Sequence, residues 1–367
     1  MSETVFILGA GASKPTGAPL LSGFLDAAES LRSHGSVEDA KEDFALVFDA
    51  IATLQQVHSK ADLDLDNLED VFGAFEMAKL LRRLGNLDES IVDRLPDAMR
   101  RVIERTLTVS VRFPFTEEQI RPQSPYAELV RLIRESTSPI GARATSSFRM
   151  RRPGDFSVMT FNYDVCADYA FHFNGIGVNY CLGSFIQEGT VPLLKLHGSL
   201  NWFQCKDCGE VISISFQERF HGTYWGLSGE KHVTIPFNYA GHACPACRTG
   251  KLGPAYLVPP TWSKFQWHTG LASVWRAAAR ELAEAENIFV CGYSLPDTDQ
   301  FFRYLYALGT VGQARLKRVW IVNTDPNVKR RFERLIGRGA MNRFRFIEQP
   351  FEEAFGDLRP VFGLTTN

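Results

Sequence analysis

The sequence feature that most constrains the fold is an apolar run near the N-terminus that ends in closely spaced glycines. Residues 5–8 read Val-Phe-Ile-Leu, and they are followed by Gly9, Ala10, Gly11, Ala12 and Ser13. A buried strand that turns through Gly-x-Gly into a helix directs backbone N–H groups at an anion, as in the phosphate-binding turn of dinucleotide folds. The dehydrogenase fingerprint has its third glycine where Lys14 stands, so a Gly-rich strand-to-helix turn without a ligand is the alternative.

Composition and charge narrow the class of protein. The chain has 367 residues, of which 45% are hydrophobic and 22% are charged, and its formal net charge is -2. These values are typical of a globular protein, and the charge does not favour binding to nucleic acid or to an acidic membrane. The apolar runs are only strand-length and no signal peptide is visible, so we expect no membrane span and a cytoplasmic location.

Short apolar segments rich in β-branched and aromatic residues predict a sheet that is covered on both faces. They lie at 5–8, 156–161, 193–196, 287–291, 318–322 and 343–347. Helical patterns at 272–285 and 326–336 precede the fourth and the sixth of these segments. Because strands that alternate with helices form parallel sheets, we predict an α/β protein with a Rossmann-like, doubly wound parallel sheet.

One long stretch, at 23–147, does not fit that alternation. It contains no convincing strand, and its apolar residues recur at helical spacing. Two such apolar faces consist of Phe44, Val47, Phe48 and Ile51, and of Leu68, Val71, Phe72 and Phe75. We interpret this stretch as a helical insertion that packs on the sheet and contributes to self-association, so we expect a homo-oligomer.

Four of the seven cysteines form two Cys-x-x-Cys pairs, which are separated by residues 209–243. In a reducing compartment this spacing favours a metal over disulfides. Two such pairs complete a tetrahedron of sulfur ligands around Zn²⁺ and leave no position for a catalytic water, so the expected role of the metal is structural. The predicted ligands in this small zinc-ribbon module, at 205–253, are Cys205, Cys208, Cys244 and Cys247.

Polar residues follow several of the predicted strands. They are Asn162 and Asp164 after the second strand, His197 after the third, Gly292 and Ser294 after the fourth, and Asn323 after the fifth. The carboxyl ends of parallel strands meet at one edge of a sheet, so we expect these residues to surround whatever the first glycine loop binds. Singly, an asparagine in this position is a common turn former and a histidine a common structural residue. The combination is what indicates a site.

The order of these motifs resembles the sirtuin superfamily, and in particular its prokaryotic sirtuin-like branch associated with antiphage defence. The resemblance covers residues 5–18 and 156–326. It lies in Gly-Ala-Gly-Ala-Ser, Phe-Asn-Tyr-Asp, Leu-His-Gly-Ser, the two cysteine pairs, Gly-Tyr-Ser-Leu-Pro-Asp and Val-Asn. It implies a Rossmann-like NAD-binding domain at 1–22, 148–204 and 254–367, with NAD bound between this domain and the zinc module.

The resemblance also implies a role for each strand-end residue. The pyrophosphate would be held by Gly9, Ala10, Gly11 and Ser13. Asn162 and Asp164 would hold the nicotinamide and its ribose, and His197 would act as the general base. The adenosine half would be lined by Gly292, Ser294 and Asn323.

Two segments depart from the protein deacylases of this family. Those enzymes follow the zinc module with a Phe-Gly-Glu-type strand that pairs with an acyl-lysine peptide. Here residues 255–262 read Ala-Tyr-Leu-Val-Pro-Pro-Thr-Trp, and prolines lack the N–H donors that such pairing needs. Deacylases also have a Pro-Asp-Phe-Arg-type segment after the glycine loop, where this chain reads Ala-Pro-Leu-Leu-Ser. Both departures argue against peptide deacylation and leave NAD cleavage intact.

The resemblance leads to three hypotheses. The first is an NAD+ glycohydrolase that releases nicotinamide and ADP-ribose and acts as an NAD-depleting antiphage defence effector. The second is an NAD-dependent protein deacylase or ADP-ribosyltransferase, and the third is a non-catalytic subunit that binds NAD or ADP-ribose. The family further implies activation by oligomerisation or by a partner such as a HerA-type ATPase or a short Argonaute. We interpret the basic run from Lys329 to Arg345 as a solvated face and do not expect direct nucleic-acid binding.

Overall fold

The computed structural model describes residues 2–55, 63–138, 151–183, 188–220, 231–260, 269–296, 299–311 and 315–365. Positions 261, 262 and 297 of the motifs quoted above lie outside these ranges. The strands are β1 Thr4–Leu8, β2 Phe113–Thr116, β3 Gln119–Ile120, β4 Phe156–Thr160, β5 Val178–Asn179, β6 Val191–Lys195, β7 Gly198–Cys205, β8 Val211–Ser213, β9 His232–Val233, β10 Leu252–Leu257, β11 Asn287–Cys291, β12 Arg318–Val322 and β13 Phe344–Ile347. The α-helices are α1 Ala10–Ser13, α2 Phe24–Ser33, α3 Lys41–Gln55, α4 Leu68–Leu81, α5 Glu89–Ser110, α6 Tyr126–Thr137, α7 Cys166–Phe173, α8 Phe216–Phe220, α9 Ala272–Glu284, α10 Gln300–Gly309, α11 Pro326–Leu335 and α12 Phe355–Leu358.

Seven strands form one parallel sheet in the order β13-β12-β11-β1-β4-β6-β5. The chain fills one half of this sheet from β1 outward through β4 and β6, and then the other half from β11 outward. This is the strand order of doubly wound dinucleotide-binding folds. The predicted α/β architecture is confirmed, and all six predicted strands are present. The edge strand β5 was not predicted, because two residues are too few to show a periodicity.

Both faces of the main sheet are covered, as the continuous apolar character of its strands requires. All five residues of β1 are buried. Phe6 and Leu8 pack in a core that includes residues of α2 to α7, whereas Val5 and Ile7 pack in a second core with residues of α9, α10 and α11. Successive side chains of a strand point to opposite faces, so each β1 residue has an apolar layer to enter.

The stretch between β1 and β4 is mainly helical, since α2 to α6 lie there. The expectation that it contains no strand is wrong. Strands β2 and β3 form an antiparallel pair, and β2 also pairs with β9. β9 belongs to the segment between the two cysteine pairs, so this small sheet joins two stretches that the sequence patterns treat as separate. The strands are too short for alternation to reveal them.

The cysteine pairs are linked to the main sheet by a second three-stranded sheet, in the order β10-β7-β8. Only residues 196 and 197 separate β6 of the main sheet from β7, and β7 ends at the first cysteine of the cluster. Within the described residues, no helix combines the length and the apolar character needed to cross a membrane.

Candidate functional site

The residues predicted to form the site follow strands at the carboxyl edge of the main sheet. Gly9 follows β1, Asn162 and Asp164 follow β4, and His197 follows β6; Gly292 and Ser294 follow β11, and Asn323 follows β12. These five strands are consecutive in the sheet, so their ends lie side by side. Backbone hydrogen bonds tie neighbouring ends together, including one of 3.1 Å from the Gly9 N–H to the carbonyl of the last β11 residue.

The glycines of the β1 and β11 ends pack against each other. The Gly11 N–H donates to the Gly292 carbonyl at 2.9 Å. A Cβ on Gly9 would lie 2.5 Å from Tyr293 Cα, and one on Gly292 would lie 2.3 Å from the Ala12 nitrogen. Gly292 also has a φ of 64°, in the left-handed region that glycine adopts without strain. The packing of these two loops is therefore sufficient to explain the spacing of the glycines. Anion binding by the Gly9–Ser13 loop stays a prediction.

Behind this loop, three predicted site residues form a buried hydrogen-bonded cluster, called here the Ser13–Asn162–Asp164 cluster. Asn162 Nδ2 donates to the Gly9 carbonyl at 2.8 Å and to Ser13 Oγ at 2.9 Å. Ser13 Oγ donates to Asp164 Oδ2 at 2.6 Å, and Asp164 Oδ1 accepts from the Cys166 N–H at 3.0 Å. The three residues are 1%, 8% and 5% exposed. The fold thus joins the ends of β1 and β4 through their polar side chains.

A fourth residue of this cluster, Tyr126, was not predicted. It is the first residue of α6, it is buried, and its hydroxyl lies 2.5 Å from Ser13 Oγ and 3.2 Å from Asn162 Nδ2. Burial, with a smaller contribution from the nearby Asp164 charge, raises the pKa of Tyr126 well above its usual value. A tyrosine in an amphipathic helical pattern is typical of a core residue, and no local signal indicates that it enters a polar site.

His197 lies between β6 and β7, at the strand end next to the cluster. Its ring meets the Phe161 ring edge-on, with 5.1 Å between centroids, and lies 6.3 Å from the Tyr163 ring. The His197 carbonyl accepts from the Val258 N–H at 2.8 Å, and the Tyr163 hydroxyl donates to the Val258 carbonyl at 2.5 Å. The imidazole is thus held in an aromatic surrounding, and the residue is 8% exposed.

A buried ion pair is hydrogen-bonded to the backbone that follows β4. Lys195, the last residue of β6, donates from Nζ to the Asp164 carbonyl at 2.5 Å and to Asp168 Oδ2 at 2.8 Å. Both side chains of the pair are 0% exposed. The other Asp168 oxygen accepts from the Tyr180 hydroxyl at 2.7 Å. Sequence reasoning missed this pair, because a single lysine at a strand end resembles a solvent-exposed residue.

The residues predicted for the adenosine half lie on the other side of β1. The Ser294 carbonyl accepts from Arg331 Nη1 at 3.0 Å, and Asn323 Nδ2 donates to the Tyr293 carbonyl at 3.4 Å. The Tyr293 ring stacks on Phe161 with 4.3 Å between centroids. This stack connects the β11 end to the β4 end across the centre of the sheet, while Ser294 and Asn323 themselves lie apart from the Ser13–Asn162–Asp164 cluster.

The four predicted cysteine ligands converge. Their sulfur atoms all lie within 4.8 Å of one another, with Cys205 and Cys247 3.7 Å apart and Cys208 and Cys244 3.9 Å apart. Zn–S bonds of about 2.3 Å in a tetrahedron give S–S separations of about 3.8 Å, so this donor set fits Zn²⁺. Hydrogen bonds lower the pKa of the Cys247 thiol to about 6, and the largest contribution comes from the Gly250 N–H. A hydrogen bond from the Glu210 backbone lowers the pKa of Cys208, but desolvation and the neighbouring thiols outweigh it and raise that pKa to about 12. The surroundings therefore favour the thiolate that a metal requires at Cys247 and not at Cys208.

We expect the purified protein to contain one zinc ion per chain and Cys208→Ser to lose most of it. The serine hydroxyl does not replace the thiolate, so the Cys208→Ser variant offers Zn²⁺ only three sulfur ligands. Because Cys208 is exposed, this substitution disturbs little packing. The measurement is zinc content after extensive dialysis. Cys181→Ser, at a buried thiol outside the cluster, is the matched control and should retain the metal. Equal zinc content in the two variants would contradict the assignment.

The edge of the small sheet at β10 is covered by the helical stretch. Ala255, Tyr256 and Leu257 are 8%, 6% and 3% exposed, although β10 is an edge strand. Helix α5 contacts this strand. Burial raises the pKa of Glu104 on α5 to about 7, and the backbone N–H of Ala255 together with the nearby Arg101 opposes the increase. The strand that an added peptide would pair with is therefore already buried by the rest of the protein.

We expect Glu104 to make the stability of the protein depend on pH. Its pKa is raised from 4.5 to about 7, so the folded state binds this proton more tightly than the unfolded chain. This contribution to stability is fully present below about pH 4.5 and is lost as the pH rises through about 7. Glu104→Gln keeps the size and polarity of the side chain without titrating, and it should flatten this part of the pH dependence. The measurement is the free energy of unfolding in denaturant at a series of pH values.

The control for this experiment is Glu89→Gln, on the same helix, where the carboxylate is half exposed and pairs with Arg82. Its stability should follow the wild-type pH dependence. A Glu104→Gln variant whose pH dependence parallels that of the wild type would show that Glu104 is not the group responsible.

No family model matches the chain, and no curated protein matches it. Among solved structures, a Sir2 homolog–NAD complex aligns over 98% of this chain and 88% of its own, at 13% identity and a TM-score of 0.42. A Sir2 homologue mutant in complex with 2'-O-acetyl ADP ribose aligns over 99% and 94%, at 16% identity and a TM-score of 0.42. Sir2 bound to acetylated peptide aligns over 99% and 94%, at 13% identity and a TM-score of 0.41. These identities and TM-scores are low. The evidence for the architecture and for the candidate site is therefore the sheet order and the contacts given above.

Proposed function

We propose that this chain is a sirtuin-like NAD+ glycohydrolase, which cleaves the bond between nicotinamide and ribose to give nicotinamide and ADP-ribose. The observation that carries the proposal is the buried Ser13–Asn162–Asp164 cluster at the ends of β1 and β4, with His197 at the adjacent end of β6. The buried polar groups of this cluster are compensated by hydrogen bonds to one another, and they lie at strand ends, where ligands of doubly wound sheets bind.

The sheet order supports a dinucleotide across this edge. In open α/β sheets a ligand binds outside the carboxyl ends of the strands, where the order of strands reverses. That reversal lies between β1 and β11 in this chain. We propose that the pyrophosphate lies beside the Gly9–Ser13 loop, with the nicotinamide half toward β4 and β6 and the adenosine half toward Ser294 and Asn323. Since the cluster is at most 8% exposed, binding requires the covering loops to move apart.

The proposed reaction needs little from the protein beyond orientation, charge and a base. Nicotinamide leaves the anomeric carbon with the electrons of the C–N bond, and positive charge develops on the ribose. Water adds to that carbon and loses a proton, so the products are nicotinamide, ADP-ribose and one proton. Fixed dipoles and carboxylates that face the developing charge lower the barrier, as does a water molecule held in line.

Each candidate residue has a role in this scheme. Asp164 orients the carboxamide of nicotinamide, and Asn162 positions the attacking water. His197 accepts the proton from that water or from a ribose hydroxyl, because an imidazole ordinarily titrates near neutral pH. Ser13, which donates to the Asp164 carboxylate, keeps that side chain in place.

The burial of strand β10 favours hydrolysis over peptide deacylation. Its residues Ala255–Leu257 are buried, and α5 contacts the strand. Pro259 and Pro260, which follow the strand, supply no N–H donors. A peptide that pairs with this strand would have to displace α5. Water needs no such surface.

We further propose that the biological effect is NAD depletion in antiphage defence, as the sequence motifs imply. An enzyme that hydrolyses a central cofactor needs an inactive state, and the resemblance suggests activation by self-association or by a partner. A HerA-type ATPase and a short Argonaute are the partners that the resemblance suggests.

The test is incubation of the purified chain with NAD+, with nicotinamide and ADP-ribose quantified by chromatography and the oligomeric mass measured in parallel. The arms are NAD+ alone, NAD+ with an acetyl-lysine peptide, and NAD+ with a candidate partner. Nicotinamide release with stoichiometric ADP-ribose, alone or with the partner, supports the proposal. Release that depends on the peptide and yields a deacetylated product would favour a deacylase. NAD+ binding without product in every arm would favour a non-catalytic subunit.

A further inference from the structure

The helical stretch between β1 and β4 contributes a side chain to the candidate site. Tyr126 is 1% exposed and lies at the first position of α6, yet its hydroxyl points into the Ser13–Asn162–Asp164 cluster. This hydroxyl is the one group of α6 that bonds to the strand ends among the hydrogen bonds of the described residues. A stretch interpreted from its sequence as a packing layer therefore reaches the residues proposed to cleave NAD.

The direction of each hydrogen bond in this cluster follows from the chemistry of its groups. An ionised carboxylate only accepts, so the single hydroxyl hydrogen of Ser13 is directed to Asp164 Oδ2, at 2.6 Å. Ser13 Oγ is then the acceptor in its 2.5 Å contact with the Tyr126 hydroxyl, and Tyr126 is the donor. Burial keeps the phenol protonated, since it raises the pKa of Tyr126 well above its usual value.

The same reasoning fixes the amide of Asn162. The Gly9 carbonyl can only accept, so the amide atom 2.8 Å from it is the nitrogen. One N–H is directed to Gly9, and the other is shared between Ser13 Oγ at 2.9 Å and the Tyr126 oxygen at 3.2 Å. The amide oxygen is consequently turned away from the glycine loop. This orientation makes it an acceptor for a water molecule or a ribose hydroxyl.

We propose that Tyr126 is a positioning residue of the active site, which holds the Asn162 amide in its working orientation through its own oxygen and through Ser13. The inference rests on the proposed function, because it assigns Asn162 a role in NAD cleavage. Tyr126 touches neither the water nor the ribose in this scheme. It acts through Asn162 and Ser13, and it makes the helical stretch part of the catalytic apparatus.

The experiment compares Tyr126→Phe with Tyr169→Phe. Both exchanges remove one buried hydroxyl and keep the ring, and the Tyr169 hydroxyl donates to the Ile120 carbonyl at 2.8 Å, outside the cluster. Loss of one buried hydrogen bond that orients a catalytic amide should lower kcat about tenfold. KM should change less than about twofold, because the substrate does not contact Tyr126. Tyr169→Phe should leave kcat unchanged.

Two further measurements separate positioning from a general loss of structure. The ¹⁵N-labelled side-chain amide signal of Asn162, identified by its absence in Asn162→Ala, should shift in Tyr126→Phe and not in Tyr169→Phe. Ser13→Ala cuts the same connection without altering α6. It should shift the same signal, and the double variant should lose less activity than the product of the two single losses.

The outcomes distinguish this inference from the proposed function. A wild-type chain that binds NAD+ and never releases nicotinamide refutes the glycohydrolase and, with it, any positioning role in that reaction. An active wild-type chain whose kcat and Asn162 signal are the same in Tyr126→Phe overturns the inference alone. If Tyr126→Phe does not fold, 3-fluorotyrosine at position 126 decides, because it keeps the ring and the hydroxyl and alters only the strength of the hydroxyl's hydrogen bonds to Ser13 and Asn162. An unchanged kcat and Asn162 signal overturn the inference, and a changed kcat with a shifted signal supports it.

Discussion

His197→Ala is expected to lower the rate of nicotinamide release from NAD+ by about 10²–10⁴-fold, the usual contribution of a general base. The imidazole lies at the end of β6, one strand from the Ser13–Asn162–Asp164 cluster, and it lies near the Phe161 and Tyr163 rings. Alanine cannot accept a proton and leaves the orientation of the dinucleotide to the remaining residues. We therefore expect kcat to fall while NAD+ binding changes little, measured by single-turnover kinetics and by calorimetry.

The control must exclude a loss of structure, because removal of an imidazole that is 8% exposed leaves a cavity. His197→Gln fills more of that space and is equally unable to act as a base near neutral pH. It should be as inactive as the alanine variant and more stable to heat. His34→Ala, at the exposed residue that directly follows α2, should have the activity and stability of the wild type. A folded His197→Gln variant that turns over at the wild-type rate would remove His197 from the mechanism.

The second large effect is expected on stability. Asp168→Ala should reduce the free energy of unfolding by about 3–5 kcal/mol, because it leaves the fully buried Lys195 ammonium without its counter-charge. The Tyr180 hydroxyl also loses the carboxylate to which it donates. Lys195 bonds to the Asp164 carbonyl, so we expect the variant to lose activity as well. Denaturant unfolding followed by circular dichroism measures the first effect and nicotinamide release the second.

An ion pair of the same chemistry at the surface provides the comparison. Lys317 and Glu286 are 54% and 30% exposed and their charged atoms are 2.5 Å apart. Glu286→Ala should cost no more than about 1 kcal/mol, since water solvates the lysine that remains. If Asp168→Ala reduced the free energy of unfolding no more than Glu286→Ala does, the buried pair would not stabilise the β4 end as described.

Six of the seven strands of the main sheet could be predicted, because each of the six is a short apolar run that can be recognised from neighbouring residues alone. The order of motifs along the chain also indicated which strand ends carry polar residues. The glycines show what such prediction leaves open. Their spacing predicts room for an anion, and the structure shows a second reason for it, because Gly9 and Gly11 pack against Gly292. A sequence shows that a side chain is missing, and only the neighbouring backbone shows what occupies the space.

The short strands also could not be predicted from the pattern of neighbouring residues. Strands β2, β3 and β9 have two to four residues each, and β2 pairs with β9 across a large separation in sequence. Alternation cannot be recognised over so few residues. The consequence is structural, since this small sheet joins the helical stretch to the segment between the cysteine pairs.

The amino-acid sequence by itself determined the parallel sheet, the polar strand ends and the cluster of four cysteines, because burial periodicity and the spacing of the cysteine pairs are properties of neighbouring residues. Only the tertiary structure decided which polar groups meet. Tyr126 reaches Ser13 across 113 residues, and Lys195 reaches Asp168 across 27. Hydrogen bonds between distant segments leave no periodic trace in a sequence, since they depend on where the folded elements bring two side chains within about 3 Å.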